Sequence, residues 1–312
     1  MEFKLNLDIP KSDFQLTHQD SVVLIGSCFS DEIASHFSHS GFHTESNTFG
    51  TLFHPLAIAN VLNASINKDK RVNVFKRDDL FFSWDSASKV YGLTESEIKA
   101  KMISLRENLR DKLTNAELLI VTFGTAWAYK HKALNTIVGN CHKAPALEFE
   151  KELSGNDELF EHWQNICVRL KELNPKLRIM FTVSPVRHKK DGLIENNRSK
   201  SRLIELAHAL TELENVSYFP SYEIMIDELR DYRFYAEDFI HPNALAIKYI
   251  WNKFSGVYIT ENSLKLIEEI NSIKAALTHK SLHPESKVNQ DRMIEIEKRK
   301  AALLKLYPEV NF

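Results

Sequence analysis

The sequence is poor in the residues that would mark a disulfide-bonded, fibrous or membrane-spanning protein. Its 312 residues include three cysteines, nine glycines and nine prolines. Three cysteines at unrelated spacings form no disulfide framework, and so few glycines and prolines exclude collagen-like architectures. No window approaches the roughly 18 unbroken apolar residues of a bilayer span, and no signal-peptide pattern opens the chain. We therefore expect a globular protein with a cytoplasmic localisation.

An excess of one charge is also missing. The chain has 40 Lys and Arg against 42 Asp and Glu, for a formal net charge of −2. Proteins that coat nucleic acid or anionic lipid need a basic surface, so we expect neither a nucleic-acid nor a membrane partner. None of the thirteen histidines stands at zinc-ligand spacing from cysteines or carboxylates, which predicts no metal and no cofactor.

Short apolar runs alternate with amphipathic stretches along most of the chain. The runs are Ser21–Gly26, Glu117–Phe123, Arg178–Val183 and a weaker Val216–Phe219. Their hydrophobicity is continuous rather than alternating, which is typical of strands buried on both faces. The helical patterns between them are Asp31–His39, His54–Asn63, Glu95–Leu113, Asp157–Leu173, Lys200–Leu213 and Asn243–Phe254. This alternation predicts an α/β protein with a doubly wound parallel sheet flanked by helices.

We divide the chain at residue 260. Residues 1–260 are expected to form the α/β domain, with a small hairpin inserted near residues 71–83. Beyond that point the sequence becomes rich in Lys and Glu, with Leu and Ile at helical spacing. Residues 261–312 are therefore predicted to form a helical hairpin packed on the main domain. A partner-binding arm is the alternative.

Small, nucleophilic and titratable residues follow the predicted strands, at the edge where a parallel sheet binds ligands. The segments are Gly26-Ser27-Cys28, Gly124-Thr125-Ala126-Trp127 and, after the third strand, Arg187-His188. Farther on, Asp238 and His241 stand three residues apart, a spacing at which the two side chains can face the same way. A carboxylate beside an imidazole fixes its tautomer and leaves the other ring nitrogen free as a base. We expect this pair to activate a nucleophile at the end of the first strand.

The run Gly26-Ser27-Cys28-Phe29-Ser30 resembles the signature of the GSCFA family, which is allied to the SGNH (GDSL-type) hydrolases. Further matching segments, at 123–127, 140–143, 184–188 and 238–242, extend the resemblance from about residue 21 to 254. The superfamily implies a flavodoxin-like, three-layer fold and ester hydrolysis or acyl transfer without a cofactor. Its last sequence block, Asp-x-x-His before a helix, is matched by Asp238 and His241.

Two positions depart from the superfamily pattern. The first block usually reads Gly-Asp-Ser and attacks through its third residue, so this register makes Cys28 the nucleophile, with Ser27 as the alternative. The third block usually supplies an asparagine to the oxyanion hole, but Ala126 stands near that point and has no side-chain donor. The candidates to replace it are Thr125, Asn140, His142 and the backbone N–H of Gly50.

A thiol nucleophile would form a thioester, which makes acyl transfer as credible as hydrolysis. A free thiol has a pKa of about 8.5, which an imidazole or a helix N-terminus lowers, so we expect a reactive Cys28. Arg187 is a candidate to bind a substrate carboxylate or phosphate, and Gly124, Trp127 and His188 complete the predicted site. We predict an esterase or acyltransferase acting on a small-molecule or glycan acyl substrate. The alternative is an inactive module that binds a sugar or acyl ligand.

Overall fold

The computed structural model describes residues 4–312, in which a parallel sheet lies between two layers of helices. The strands are Ser21–Gly26 (β1), His43–Ser46 (β2), Val74–Arg77 (β3), Leu80–Ser83 (β4), Tyr91–Gly92 (β5), Leu118–Phe123 (β6), Trp127–His131 (β7), Thr136–Ile137 (β8), Phe149–Leu153 (β9), Arg178–Val183 (β10) and Val216–Tyr218 (β11). The helices are Cys28–His39 (α1), Pro55–Ile66 (α2), Glu95–Asn115 (α3), Asn156–Leu173 (α4), Leu193–Leu210 (α5), Ser221–Glu223 (α6), Ala244–Tyr258 (α7), Glu261–Thr278 (α8) and Lys287–Leu306 (α9).

The central sheet has the strand order β11-β10-β6-β1-β2, with all neighbours parallel. Renumbered along the chain, this is the order 2-1-3-4-5 of a flavodoxin-like sheet. The predicted α/β class and three-layer architecture are therefore confirmed. In such a sheet the order reverses beside the first strand, and ligand sites form beyond the carboxyl ends of the strands at that point.

The two faces of β1 explain why its hydrophobicity is continuous. Val23 and Ile25 belong to the core that the sheet shares with α2, α3, α4 and α5. Val22 and Leu24 point the other way, into the core shared with α1 and α7. A strand that is covered on both faces is stabilised by burying every apolar side chain. Its sequence therefore shows no alternation of apolar and polar residues.

Several elements differ from the sequence-based expectation, among them strand β2 and helix α5. The edge strand β2 was not predicted, because its sequence, His-Thr-Glu-Ser, is polar and it forms by pairing with β1. Helix α5 runs from Leu193 to Leu210, whereas the apolar periodicity predicted Lys200–Leu213. Its first two turns carry buried polar side chains instead of apolar ones.

Two small antiparallel sheets accompany the central one. The first has the order β3-β4-β5, and its β3–β4 hairpin turns at Asp78, which has a positive φ of 52°. The second has the order β8-β7-β9 and follows the carboxyl end of β6. Buried side chains from the two segments meet in one cluster formed by Trp84, Val138 and Phe149.

The C-terminal helices pack on each other and on the start of the α/β layer. Ile270 and Ile273 of α8 share a buried cluster with Leu303 of α9. The backbone N–H of Asn311 donates to the carbonyl oxygen of Gly41 at 2.9 Å, which ties the chain end to the loop after α1. Within residues 4–312, every helix is too short or too polar to cross a bilayer.

The last residue of β1 is where the backbone comes closest to its neighbour. Gly26 has a φ of 136°, a conformation that side-chain-bearing residues rarely adopt. A Cβ atom at this position would lie 2.1 Å from the carbonyl oxygen of Thr122 on β6. Glycine is therefore required for the chain to leave the sheet and enter α1.

We predict that Gly26→Ala destabilises the protein by at least about 3 kcal/mol, since it combines backbone strain with a backbone clash. The matched control is Gly256→Ala in α7, where an added Cβ meets nothing within 4 Å. That change should raise the free energy of unfolding by up to about 1 kcal/mol. Urea unfolding measures both variants, and equal stability would contradict the role given to Gly26.

Candidate active site

Helix α1 begins at the carboxyl edge of the sheet and presents Cys28 as its first residue. Ser27 is the N-cap: its buried Oγ accepts a hydrogen bond from the backbone N–H of Phe29 at 3.3 Å. The Cys28 side chain is half-buried at the positive end of the helix dipole. The hydroxyl of Ser27 is thus buried and engaged as a cap, whereas the side chain of Cys28 is partly exposed.

The turn before Cys28 is held by Asn47, which sequence reasoning did not select. Its side-chain oxygen accepts the N–H of Gly26 at 2.8 Å, and its amide group donates to the carbonyl of Ser27 at 3.4 Å. Asn47 is buried and has a positive φ of 41°. Asparagine tolerates this conformation better than most residues. Because β2 was not predicted, no sequence signal placed Asn47 at this turn.

Burial raises the pKa of the Cys28 thiol, and the nearby carboxylates of Asp31 and Glu32 raise it further. The backbone N–H groups of Cys28 and Phe29 act in the opposite direction but do not overcome burial. The expectation of a lowered thiol pKa is therefore wrong, because the helix N-terminus is outweighed by desolvation. The thiol is protonated at neutral pH, so an attack by sulfur requires a base.

Asp238 and His241 form a close pair in the loop before α7. The imidazole Nδ1 donates to Asp238 Oδ2 at 2.6 Å, and both side chains are about half exposed. Oδ1 of the same carboxylate accepts the backbone N–H groups of Ile240 at 2.9 Å and of His241 at 3.0 Å. These hydrogen bonds lower the pKa of Asp238 to about 2, and the bond from the imidazole has the largest effect. Nε2 of His241 is left as the ring nitrogen that can take a proton.

Arg187 ties this loop to the end of β10. Its Nη1 donates to the carbonyl of Phe239 at 3.0 Å, and its backbone N–H donates to the carbonyl of Ile240 at 3.2 Å. The guanidinium lies over the ring of Tyr235, 4.0 Å from the centroid. Arg187 thus positions the His241 loop, and its binding of a substrate anion stays a prediction.

Helix α5 supplies polar side chains that reach the strand-end loops, and sequence reasoning missed them. Asn196 accepts the N–H of His188 at 2.8 Å, and Ser199 accepts the N–H of Ala126 at 2.7 Å. Lys200 is 1% exposed and lies on the same helix face. The available signal was the apolar stripe of α5, which continues backwards at helical spacing onto these polar positions.

The family model for GSCFA matches residues 21–254 of the chain. The chain belongs to the GSCFA family. No curated protein matches it.

Three solved structures that resemble this GSCFA chain are carbohydrate esterases. A family two carbohydrate esterase from Clostridium thermocellum, in complex with cellohexaose, is 9% identical with a TM-score of 0.39, over 84% of this chain and 67% of that one. An acetyl xylan esterase from the rumen bacterium Butyrivibrio proteoclasticus is 9% identical with a TM-score of 0.40, over the same shares. A family 3 carbohydrate esterase from Talaromyces cellulolyticus is 9% identical with a TM-score of 0.36, over 80% and 99%. Likeness at this level says nothing about the activity of the GSCFA chain.

The predicted oxyanion donors of the GSCFA chain are engaged elsewhere. The N–H of Gly50 closes a turn by donating to the carbonyl of Asn47 at 2.6 Å, so it does not point at a substrate. The hydroxyl of Thr125 is buried and accepts the N–H of Trp127 at 3.1 Å. The N–H of Gly124 donates to the carbonyl of Phe53 at 2.8 Å.

Asn140 and His142 belong to a turn beside the small sheets. Asn140 accepts the N–H of His142 at 2.7 Å, and the buried imidazole contacts the carbonyl of Ser83 at 2.9 Å and the hydroxyl of Ser88 at 3.0 Å. His142 has a positive φ of 48°, so the segment is a turn and not a strand. Burial lowers the pKa of His142. These contacts brace the turn, and the place of the two residues in the site stays a prediction.

The remaining predicted residues, Trp127 and His188, contact α5 and the segment just before it. The indole N–H of half-buried Trp127 donates to the carbonyl of Glu195 at 3.2 Å, which fastens β7 to α5. Burial lowers the pKa of His188, whose Nε2 lies 3.6 Å from Asp191. Across residues 4–312, no three His, Cys, Asp or Glu side chains converge as metal ligands. In the same range no hydrogen bond joins Cys28 to His241.

We predict that His241→Ala raises the pKa of Asp238 from about 2 towards its ordinary value of 3.8. The rise should be incomplete, because the two backbone N–H donors remain. A lowered pKa in the folded state means that this contact stabilises the fold above pH 3.8 and loses that effect as the pH falls towards 2. Carboxyl carbon NMR follows the titration, and an unchanged midpoint would show that the imidazole does not hold the carboxylate.

Proposed function

We propose that the protein is an esterase or acyltransferase in which Cys28 attacks the acyl carbon, His241 accepts its proton and Asp238 orients the imidazole. The observation that carries this proposal is the 2.6 Å contact between His241 and Asp238. It leaves a basic ring nitrogen on a loop that Arg187 ties to the same sheet edge as Cys28. A carboxylate–imidazole pair beside a half-buried nucleophile is the arrangement that acyl transfer needs.

Each step balances on these groups. As the sulfur–carbon bond forms, the thiol proton passes to Nε2 of His241, because the thiol is protonated at neutral pH. The tetrahedral intermediate expels its alcohol, which takes the proton from the imidazolium, and a thioester on Cys28 remains. Water or a second hydroxyl group then attacks the thioester and gives its proton to His241. The carbon–sulfur bond breaks, the sulfur of Cys28 takes that proton back from the imidazolium, and the acid or the new ester leaves.

The oxyanion needs a donor other than the predicted ones. The first N–H groups of a helix have no intrahelical partner. The N–H of Phe29 donates to the side-chain oxygen of Ser27, and the N–H of Ser30 donates to its carbonyl oxygen. The N–H of Cys28 has no backbone or side-chain oxygen partner in the part of the chain that the structure describes. This N–H, at the positive end of α1, is therefore the donor that we assign to the oxyanion.

An apolar cavity of about 450 Å³ adjoins the pair and suits the acyl chain. Four apolar or aromatic residues and three charged ones line it: Leu193, Tyr232, Phe239, Ile240, Arg187, Lys189 and Asp238. Phe239 is 58% exposed and has a positive φ of 57°, which is rare for a bulky residue. An exposed aromatic ring held in a strained conformation beside titratable groups favours a ligand-binding role.

The proposal predicts that Cys28→Ala and His241→Ala abolish or greatly reduce turnover of an activated model ester, while Cys141→Ala does not. A general base contributes roughly 10²–10⁴-fold to rate, so His241→Ala should lower kcat/KM by that factor with little change in unfolding. Iodoacetamide should block activity by modifying Cys28, and a fluorophosphonate should leave Ser27 unmodified.

Full turnover in both variants would remove the pair and the thiol from the mechanism. A phosphonylated Ser27 with an inert Cys28 would transfer the nucleophile to the serine. Saturable ligand binding without any turnover would support the inactive binding module instead.

For the cavity, we predict that Phe239→Ala lowers kcat/KM for an octanoyl ester by about tenfold. For an acetyl ester, kcat/KM should fall by less than about twofold, because each buried CH₂ contributes about 0.8 kcal/mol and an acetyl group has no CH₂ to bury. Alanine keeps a Cβ, so the positive-φ cost at this position is similar in both proteins. Leu245→Ala is the control, since Leu245 is an exposed apolar residue outside this cavity. Equal losses on both esters would contradict an acyl-chain role for Phe239.

A further inference from the structure

Four large apolar or aromatic side chains are exposed around the mouth of the cavity beside Asp238. Leu193 is 59% exposed, Ile194 76%, Tyr232 63% and Phe239 58%. We call these four residues the mouth patch. Leu193, Tyr232 and Phe239 line the cavity, whereas Ile194 lies outside it. A ligand held entirely inside the cavity would leave Ile194 in water, so the cavity alone does not account for the patch.

The mouth patch is formed by two segments that the fold holds together. Leu193 and Ile194 begin α5, and Tyr232 and Phe239 belong to the loop before α7. Arg187 donates to the carbonyl of Phe239 at 3.0 Å, and its guanidinium lies 5.2 Å from the centroid of the Tyr232 ring. The rings of Tyr232 and Phe239 pack edge to face at 5.7 Å. The exposed side chains are therefore part of one ordered surface.

The start of α5 is built differently from an ordinary solvent-facing helix end. Helix starts favour capping hydroxyls, amides and carboxylates. Here Gly192 is the N-cap without a side-chain hydrogen bond, and Leu193 and Ile194 occupy the first two helical positions. Single exposed apolar residues are common on proteins, whereas a contiguous group of them marks an interaction surface. The mouth patch is such a group, which indicates that a partner covers it.

The charges around the cavity favour an anionic partner. Arg187 and Lys189 line the cavity against a single carboxylate, that of Asp238, which is paired with His241. Lys189 is exposed and forms no ion pair within residues 4–312. The expectation of no membrane partner follows from the net charge of the whole chain, −2. The mouth of the cavity departs locally from that average.

We propose that the mouth patch docks on an anionic lipid surface, from which the acyl chain of an ester enters the cavity. Apolar and aromatic side chains insert at the boundary between headgroups and acyl chains, and nearby cations pair with the headgroups. Because three residues of the patch also line the cavity, an acyl chain passes from the lipid to the Asp238–His241 pair without crossing water. The inference rests on the proposed function for the role of the cavity, and it narrows the substrate class to lipid esters.

Co-sedimentation with vesicles tests the docking and needs no ester turnover. One set of vesicles is phosphatidylcholine alone, and the other is phosphatidylcholine mixed with phosphatidylglycerol. We expect the full chain to bind the mixed vesicles more tightly, and we expect this binding to weaken as NaCl is raised, because salt screens the attraction to the headgroups. A chain that does not bind the mixed vesicles would overturn the proposal.

Ile194→Ser tests the apolar contact, because Ile194 lies outside the cavity. The variant should bind the mixed vesicles about tenfold more weakly, as expected when one large apolar side chain is withdrawn from lipid. Turnover of a soluble acetyl ester should stay unchanged. The matched control is Val288→Ser, since Val288 is likewise the second residue of a helix, α9, and is 80% exposed. Equal vesicle binding by the two variants would contradict the role of the patch.

Lys189→Gln tests the charge. It should weaken binding to the mixed vesicles by about fivefold and leave binding to phosphatidylcholine unchanged, because one lysine near an anionic surface contributes that factor. Lys176→Gln is the control: Lys176 is exposed and precedes β10, at the opposite edge of the sheet. Wild-type binding by Lys189→Gln would remove the headgroup contact from the proposal.

Three outcomes distinguish this inference from its alternatives and from the proposed function. A dimer seen by analytical ultracentrifugation and lost in Ile194→Ser would assign the patch to a second copy of the chain and overturn the lipid docking. Vesicle binding that depends on Ile194, without turnover of any ester, would support the docking and reject the esterase. Turnover of a soluble ester without vesicle binding would keep the esterase and reject the docking.

Discussion

The close approach of two backbones at Gly26 and Thr122 is the constraint on which the site depends. Because no side chain intervenes there, β1 can end against β6 and turn at once into α1. The turn makes Ser27 the N-cap and Cys28 the first helical residue. Asn47 closes the same turn from the opposite side. A larger residue at position 26 would move the helix start, and the thiol would move with it.

Side chains that bind main-chain groups hold the rest of the site together. Asn47, Arg187 and Lys200 each connect segments that are far apart in sequence by hydrogen bonds to backbone amides or carbonyls. The environments of the reacting groups differ as a result. The sulfur of Cys28 is desolvated, whereas the Asp238–His241 pair is half exposed to water.

The sequence predicted those features that depend on side-chain burial or on a local motif. The buried strands were visible as continuous apolar runs, and Cys28, Asp238 and His241 were visible from their motifs. Strand β2 was not, because its sequence is polar and it forms only by pairing with β1. Asn196, Ser199 and Lys200 were missed because their partners are backbone groups from other segments, which carry no sequence signature. The turn that Asn140 and His142 brace was likewise not visible, because its hydrogen bonds include a tertiary contact with Ser83.

The position of β1 at the interior of the sheet also has a consequence for biosynthesis. Its two neighbours are β2, which emerges soon after it, and β6, which begins only at Leu118. During synthesis, one edge of β1 therefore stays unpaired until α2, the β3–β4 hairpin, α3 and β6 itself have been made. Such a strand, apolar on both faces, is the part of the nascent chain most exposed to wrong pairing and to aggregation. The segment that carries Cys28 is thus synthesised well before the loop with His241, and the candidate site is completed only when that loop has emerged.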